Sequence, residues 1–162
     1  MRAILAVSVA LVICACATAG PGPANPQPQA LSTSGAALLM MRADDIKRAA
    51  LEADRTARLA DAFRGHALQV VEGQAHGMES RGLHVEERNS ARTLVSWDPR
   101  AHEAVLQIAA QSRLVTPDQP NPAWTATVRQ WWARLQYADG AWWVVEQADL
   151  IPDQWRPVPT IG

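Results

Sequence analysis

The sequence predicts an α+β fold, with N-terminal helices packed on a curved antiparallel sheet that ends in a long Trp-rich β-hairpin. Between residues 31 and 80, apolar side chains recur at three- and four-residue spacing, which is typical of helices buried on one side. From Leu83 onward apolar and polar side chains alternate, which indicates half-buried strands. The third observation is Asp139-Gly140 between two β-prone runs, because glycine supplies the positive φ of a tight hairpin turn. Helices followed by antiparallel strands give an α+β order.

Composition excludes several classes of function. The chain has 162 residues and a net charge of −1. This balance of acids and bases leaves no polybasic patch, so nucleic acid is not an expected partner. The two cysteines, Cys14 and Cys16, both lie in the first apolar run, so no disulfide or thiolate metal site is expected in the folded part. No cofactor and no metal are predicted.

The N-terminus has the pattern of a secretory signal. Met1-Arg2 precedes an apolar run from Ala3 to Ala15, which is shorter than the roughly 20 residues of a membrane-spanning helix. The run ends in Ile13-Cys14-Ala15-Cys16, which resembles the lipobox of bacterial lipoproteins. This resemblance implies that Cys16 is diacylated and anchors the chain to a bacterial cell membrane, facing the extracytoplasmic side. An ordinary signal peptide, cut after residues 17–19, is the alternative.

The predicted organisation has four parts. Residues 1–15 form the signal peptide, and residues 16–33 form the acylated cysteine and a Pro-rich tether. Proline at every second or third position of residues 20–30 blocks both helix and strand pairing, so the tether is predicted to be extended. Residues 34–151 form the folded domain, and residues 152–162 form an irregular Pro-rich tail.

Each element of the domain follows from its local pattern. The first helix is predicted to bury an apolar stripe, with charged residues such as Asp44 and Lys47 on the opposite, solvent-facing side. A short helix around Leu59 and a third helix that stops near Gly82 follow. Residues 85–97 predict one strand or a broken pair of strands. Residues 102–115 predict a strand with one apolar face, and residues 116–122 a loop.

The hairpin places two tryptophans on each face of the sheet. Neighbouring strand residues point to opposite faces, so each Trp-Trp pair, 131–132 and 142–143, is split between the faces. With a two-residue turn, Trp132 and Trp143 point outward and are the predicted interface residues. This register predicts four pairs: Tyr137 with Trp142, Leu135 with Val144, Ala133 with Glu146, and Trp131 with Ala148. A bulged turn would shift these pairs by one residue.

Two segments resemble known families. The segment from Tyr137 to Glu146 resembles a turn pattern of the nuclear transport factor 2-like superfamily, a Gly followed by Trp-x-aliphatic-x-acid. The segment from Leu59 to Leu68 is similar to the start of the inner-membrane-space domain of plastid and cyanobacterial division proteins. The resemblance implies a cone-shaped sheet whose mouth is filled by helices.

Glu146 is the single carboxylate that the pattern offers as a catalytic candidate. In the two-residue register it lies among tryptophans, where burial would raise its pKa toward the range of a general base. The alternative is an ion pair with Arg129 or Arg134. None of the four histidines forms a metal-binding pair on one helix, and no nucleophile motif is present.

Two hypotheses of function follow. The first is a membrane-anchored extracytoplasmic lipoprotein that acts as a non-enzymatic protein-interaction or scaffold module. Its partner would be another protein of the cell envelope or a second copy of the chain. The alternative is a small-molecule-binding or polyketide-cyclase-like protein that uses the cavity of the cone.

Overall fold

A computed structural model describes residues 30–53 and 56–150. The described part contains two α-helices, one 3-10 helix between them, and four strands. The elements are α1 (Thr33–Ala53), the 3-10 helix (Thr56–Asp61), α2 (Gly65–Glu79), β1 (His84–Asp98), β2 (Glu103–Val115), β3 (Thr125–Ala138) and β4 (Ala141–Leu150). The predicted α+β class, helices on an antiparallel sheet, is confirmed. Neither described α-helix is both long enough and apolar enough to cross a membrane.

The four strands form one antiparallel sheet in the order β1-β2-β3-β4. Residues 84–98 make a single long strand rather than a broken pair. Its pairing with β2 is irregular between Arg88 and Ala91 and between Leu94 and Ser96. Such irregularities bend a strand and increase its twist, so the sheet has a concave face and a convex face.

Both α-helices pack on the concave face. Trp131 and Phe63 are the largest side chains that are completely buried there, and their ring centroids lie 6.3 Å apart. Alternate residues of β2 face the same core, as the sequence pattern predicts. The core joins α1, α2 and the sheet through Met40, Ile46, Leu59, Val71, Leu106, Ile108, Leu135 and Val144, among others.

Part of the outer edge of β4 is covered by the chain that enters α2. The Val144 amide donates to the carbonyl of Ala62, and the Arg64 amide donates to the carbonyl of Val144, at 3.0 and 2.9 Å. Phe63 thereby pairs with Val144 as an isolated parallel bridge. This contact fixes the start of α2 against the last strand and shields the backbone at that point of the edge.

The hairpin has the predicted turn and a bulge that the sequence did not predict. Tyr137 pairs with Trp142 and Leu135 with Val144, as expected for a two-residue turn. The register then shifts, so that Arg134 lies opposite Glu146 and Val145 is the extra residue. The predicted pairs of Ala133 with Glu146 and of Trp131 with Ala148 are therefore wrong. Their actual partners are Gln147 and Asp149.

We expect Gly140→Val to destabilise the domain by about 1–3 kcal/mol, because Gly140 has φ +79° and a β-branched residue resists positive φ. Gly140→Asn is the matched control, since asparagine adopts this conformation more readily. Urea denaturation measures both variants. Equal stability of Gly140→Val and the unchanged chain would contradict the turn.

Candidate functional site

A cavity of about 690 Å³ opens between α1, α2 and the end of the sheet where β1 begins. Its volume lies within the range of pockets that hold small molecules, about 300–1,000 Å³. It is lined by Asp44, Lys47, Arg48, Leu51, Gly73, Gln74, Gly77, Met78, Arg81, Val85, Glu87, Ser112, Thr127, Val128, Arg129 and Asp149.

Lys47, the only lysine of the sequence, is buried at the wall of this cavity. The prediction that it covers the solvent-facing side of α1 is wrong, because only 6% of the residue is exposed. Its Nζ donates to Oε1 of Gln147 at 3.3 Å and lies 5.4 Å from the centre of the Trp131 ring. An oxygen of Asp149, an exposed side chain, is 3.9 Å away.

The surroundings of Lys47 change its protonation. Burial lowers the pKa of the Lys47 ammonium below its ordinary value, because the charged form loses its hydration. The negative charge of Asp149 opposes this shift, the positive charge of Arg129 adds to it, and Asp44 opposes it. The neutral amine therefore forms at a lower pH at Lys47 than at an exposed lysine.

A second buried charge, Asp44, lies one helical turn from Lys47 and was also predicted to face solvent. It is 1% exposed. Its Oδ2 accepts a hydrogen bond from Nε of Arg92 at 2.7 Å, and its Oδ1 accepts one from Nη2 of Arg129 at 3.2 Å. The same Arg129 nitrogen donates to Oε2 of Glu87 at 3.3 Å. This ion-pair network connects α1 with β1 and β3 across the concave face.

The sequence carried a signal for both buried charges. Asp44 and Lys47 follow Met40 and Ala43 at three- and four-residue spacing, so they share the buried stripe of α1. Arg129 lies two residues before Trp131, on the same face of β3. The spacing alone identifies these positions as inward-facing, although aspartate and lysine are residue types that are seldom fully buried.

The bulge at Val145 decides which residue of β4 faces the core. Gln147 is 5% exposed, and its Oε1 accepts hydrogen bonds from Trp131 Nε1 at 2.8 Å and from Lys47. Glu146 lies instead beside Arg134, with 3.2 Å between Oε1 and Nη1, and its side chain is 43% exposed. This is the ion pair that the sequence left open as the alternative to a buried general base.

The convex face of the sheet carries Trp132. Val105 and Ala148 lie directly beside it on the neighbouring strands. Its Nε1 donates to Oε2 of Glu103 at 3.3 Å, and the guanidinium of Arg134 lies 5.8 Å from its ring. The helices that the structure describes pack on the concave face. None of them covers Trp132, so this side chain remains only half-buried.

Trp143 lies closer to the edge of the sheet. The guanidinium carbon of Arg64 lies 3.7 Å from the centre of its ring, and its Nε1 donates to the Ala138 carbonyl at 3.0 Å. It is half-buried as well. The concave-face counterparts of Trp132 and Trp143 are Trp131, which is completely buried, and Trp142, which packs against the core.

The remaining predicted residues fall outside these two regions. Cys16, the predicted lipidation site, lies outside the described residues, as do the signal peptide and the C-terminal tail. Within residues 30–53 and 56–150, no group of three His, Cys, Asp or Glu side chains is arranged to hold a metal ion.

Comparison with known proteins relates the chain to others through its fold. No family model matches the sequence, and no curated protein matches it either. The structure is similar to the intermembrane space region of the chloroplast protein ARC6, with a TM-score of 0.60 and 18% identity over 77% of this chain and 98% of that one. This likeness supports the predicted resemblance for the fold alone.

Two further solved structures match with lower TM-scores. A protein of unknown function with a cystatin-like fold from Nostoc punctiforme has a TM-score of 0.43 and 12% identity, over 75% of this chain and 93% of that one. A protein described as a scytalone dehydratase from Novosphingobium aromaticivorans has a TM-score of 0.39 and 16% identity, over 80% of this chain and 97% of that one.

Proposed function

We propose that the chain is a membrane-anchored, extracytoplasmic lipoprotein that acts as a non-enzymatic interaction module, and that it binds another protein through the convex face of its sheet. The observation that carries the proposal is Trp132, a half-buried tryptophan at the centre of a face that no described helix covers. Tryptophan is enriched among the residues that contribute most to protein interfaces.

The surroundings of Trp132 fit a binding surface. Val105 and Ala148 give the face an apolar centre, and the ion-paired Glu103, Arg134 and Glu146 lie at its margin. An apolar centre with a charged margin is the usual composition of a protein interface. With Arg64 over Trp143, the face carries two acids and two bases around its apolar centre, which favours a partner with charges of both signs.

The tether and anchor complete the proposal. Cys16 would carry two acyl chains, which hold a protein at a membrane more firmly than one because each buried methylene contributes about 0.8 kcal/mol. The Pro-rich residues 20–30 would keep the domain a short distance from the bilayer. The location of the ARC6 region in an intermembrane space supports an envelope-associated role.

We expect that Trp132→Ser combined with Trp143→Ser abolishes capture of the partner and leaves the fold intact, because both residues lie outside the buried core. The full chain, tagged at its C-terminus, is purified from bacterial membranes, and its co-purifying proteins are compared with those of the double variant. Sedimentation of both distinguishes a second copy of the chain from a different protein.

The matched control is Leu38→Ser, which removes an apolar side chain that is 70% exposed on α1. The control should capture the same partner as the unchanged chain. If the double variant retains its partner, or if the control loses it as well, the convex face is not the binding surface.

The cavity beside Lys47 favours a second candidate function, the binding of a small molecule. Its volume suits such a ligand, and a buried ammonium and a carboxylate, Glu87, line it together with apolar side chains. Glu146 has no part in this second function, because its side chain lies beside Arg134 and not at the cavity.

A further inference from the structure

We propose that the cavity binds a small molecule with an apolar body and a single carboxylate, and that the carboxylate accepts hydrogen bonds from the Lys47 ammonium. The inference rests on the second candidate function, the binding of a small molecule, and specifies the class of ligand. Three observations carry it: the incomplete hydrogen bonding of Lys47, the charge of the cavity lining, and the apolar side chains that line the same cavity.

Lys47 has hydrogen-bond donors that the described residues do not use. A lysine ammonium carries three N–H groups, and the structure gives it one acceptor, Oε1 of Gln147 at 3.3 Å. That oxygen also accepts from Trp131 Nε1 at 2.8 Å, so it is shared. The Asp149 oxygen, at 3.9 Å, is beyond hydrogen-bond distance. A ligand oxygen in the cavity would satisfy a buried charge that is otherwise under-coordinated.

The charges of the lining indicate one negative charge on the ligand. Four cationic side chains face three carboxylates, so the lining has a net charge of +1; the cations are Lys47, Arg48, Arg81 and Arg129, and the carboxylates are Asp44, Glu87 and Asp149. Arg129 pairs with Asp44 and Glu87, and Arg48 pairs with Glu52, which lies outside the lining. A monoanion would neutralise the lining, whereas a dianion such as phosphate would leave a second charge opposite three carboxylates.

The cavity lining also contains apolar side chains and open space. Leu51, Met78 and Val85 supply the apolar surface. Gly73 and Gly77 of α2 also line the cavity, and a Cβ built on either one meets nothing within 4 Å. Glycine inside a helix costs about 1 kcal/mol relative to alanine, and here its effect is to leave space in which an apolar ligand body fits.

The test compares octanoate with octanol by titration calorimetry on the purified full chain, with a blank titration into the same detergent buffer. We expect octanoate to bind at least tenfold more tightly than octanol. Lys47→Met, which keeps most of the apolar stem, should remove this preference. Arg42→Met is the matched control, because Arg42 is exposed on the same helix and does not line the cavity. It should keep the preference within twofold.

A second variant separates binding from folding. Gly77→Leu should weaken the binding of octanoate at least tenfold without lowering the melting temperature, because leucine favours the helix and its side chain enters the cavity. The control is Glu72→Leu, an exposed position of α2 outside the cavity. It should bind octanoate as the unchanged chain does.

Lys47 can also be observed directly, because a chain labelled with carbon-13 at the lysine Cε gives one lysine signal. A bound carboxylate should raise the pKa of Lys47 in a pH titration, and octanol should not. Equal affinity for octanoate and octanol, with an unchanged pKa of Lys47, would overturn the proposed ligand class but would still support the binding of small molecules. If neither compound binds, both the proposed ligand class and the small-molecule function are overturned.

Discussion

Trp131→Ala is expected to destabilise the domain by about 3–5 kcal/mol, a large fraction of the roughly 5–15 kcal/mol by which a folded domain is ordinarily stable. Trp131 is completely buried and packs near Phe63, so its removal leaves a large cavity. It also removes the indole N–H that donates to Gln147, whose oxygen then keeps only its longer hydrogen bond from Lys47. Thermal and urea denaturation followed by circular dichroism measure the effect.

The matched control is the next residue of the strand. Trp132→Ala changes the same side chain to the same residue, but on the convex face, where the ring is only half-buried. We expect a loss of about 1 kcal/mol from its cross-strand contacts and its bond to Glu103. Equal effects of the two substitutions would mean that the strand does not separate its tryptophans as described.

The second large effect is expected at Asp44. Asp44→Ala should destabilise the domain by about 3–5 kcal/mol, because it leaves Arg92 and Arg129 facing a buried position without its negative charge. Arg92 keeps a contact of 2.8 Å with Asp45, and Arg129 keeps Glu87 at 3.3 Å, so the lower part of this range is expected. Denaturation in urea at neutral pH gives the difference in free energy.

Asp45 provides the control for Asp44. It is the next residue of α1, and its side chain is 51% exposed although it contacts Arg48 and Arg92. Exposed ion pairs contribute about 0–1 kcal/mol, so Asp45→Ala should have a small effect. If Asp45→Ala is as destabilising as Asp44→Ala, the network does not depend on the buried carboxylate.

The fold was predictable because its signals are local. Alternation in β2, the three- and four-residue spacing of the helices, and the Asp139-Gly140 turn each act over a few residues. The turn fixed the first pairs of the hairpin correctly, and with them the concave position of Trp131. The order of helices before strands then indicated the α+β fold class.

The site was less predictable, because it depends on contacts between distant segments. The bulge at Val145 has no mark in the local sequence, and it places Gln147 at the core and Glu146 beside Arg134. Lys47 contacts Gln147 only in the folded chain, where the long lysine side chain reaches from α1 to a residue 100 positions away on β4. Propensity and periodicity do not report such contacts, whereas the spacing on α1 did indicate which side Lys47 faces.

The proposed function is tested most directly by photo-crosslinking in intact membranes. A benzophenone amino acid replaces Val105, the neighbour of Trp132 on the convex face, or Leu38, which is exposed on α1. Irradiation is expected to join the Val105 variant to a second protein and to leave the Leu38 variant uncrosslinked. Crosslinks from Leu38 with none from Val105 would contradict binding through the convex face.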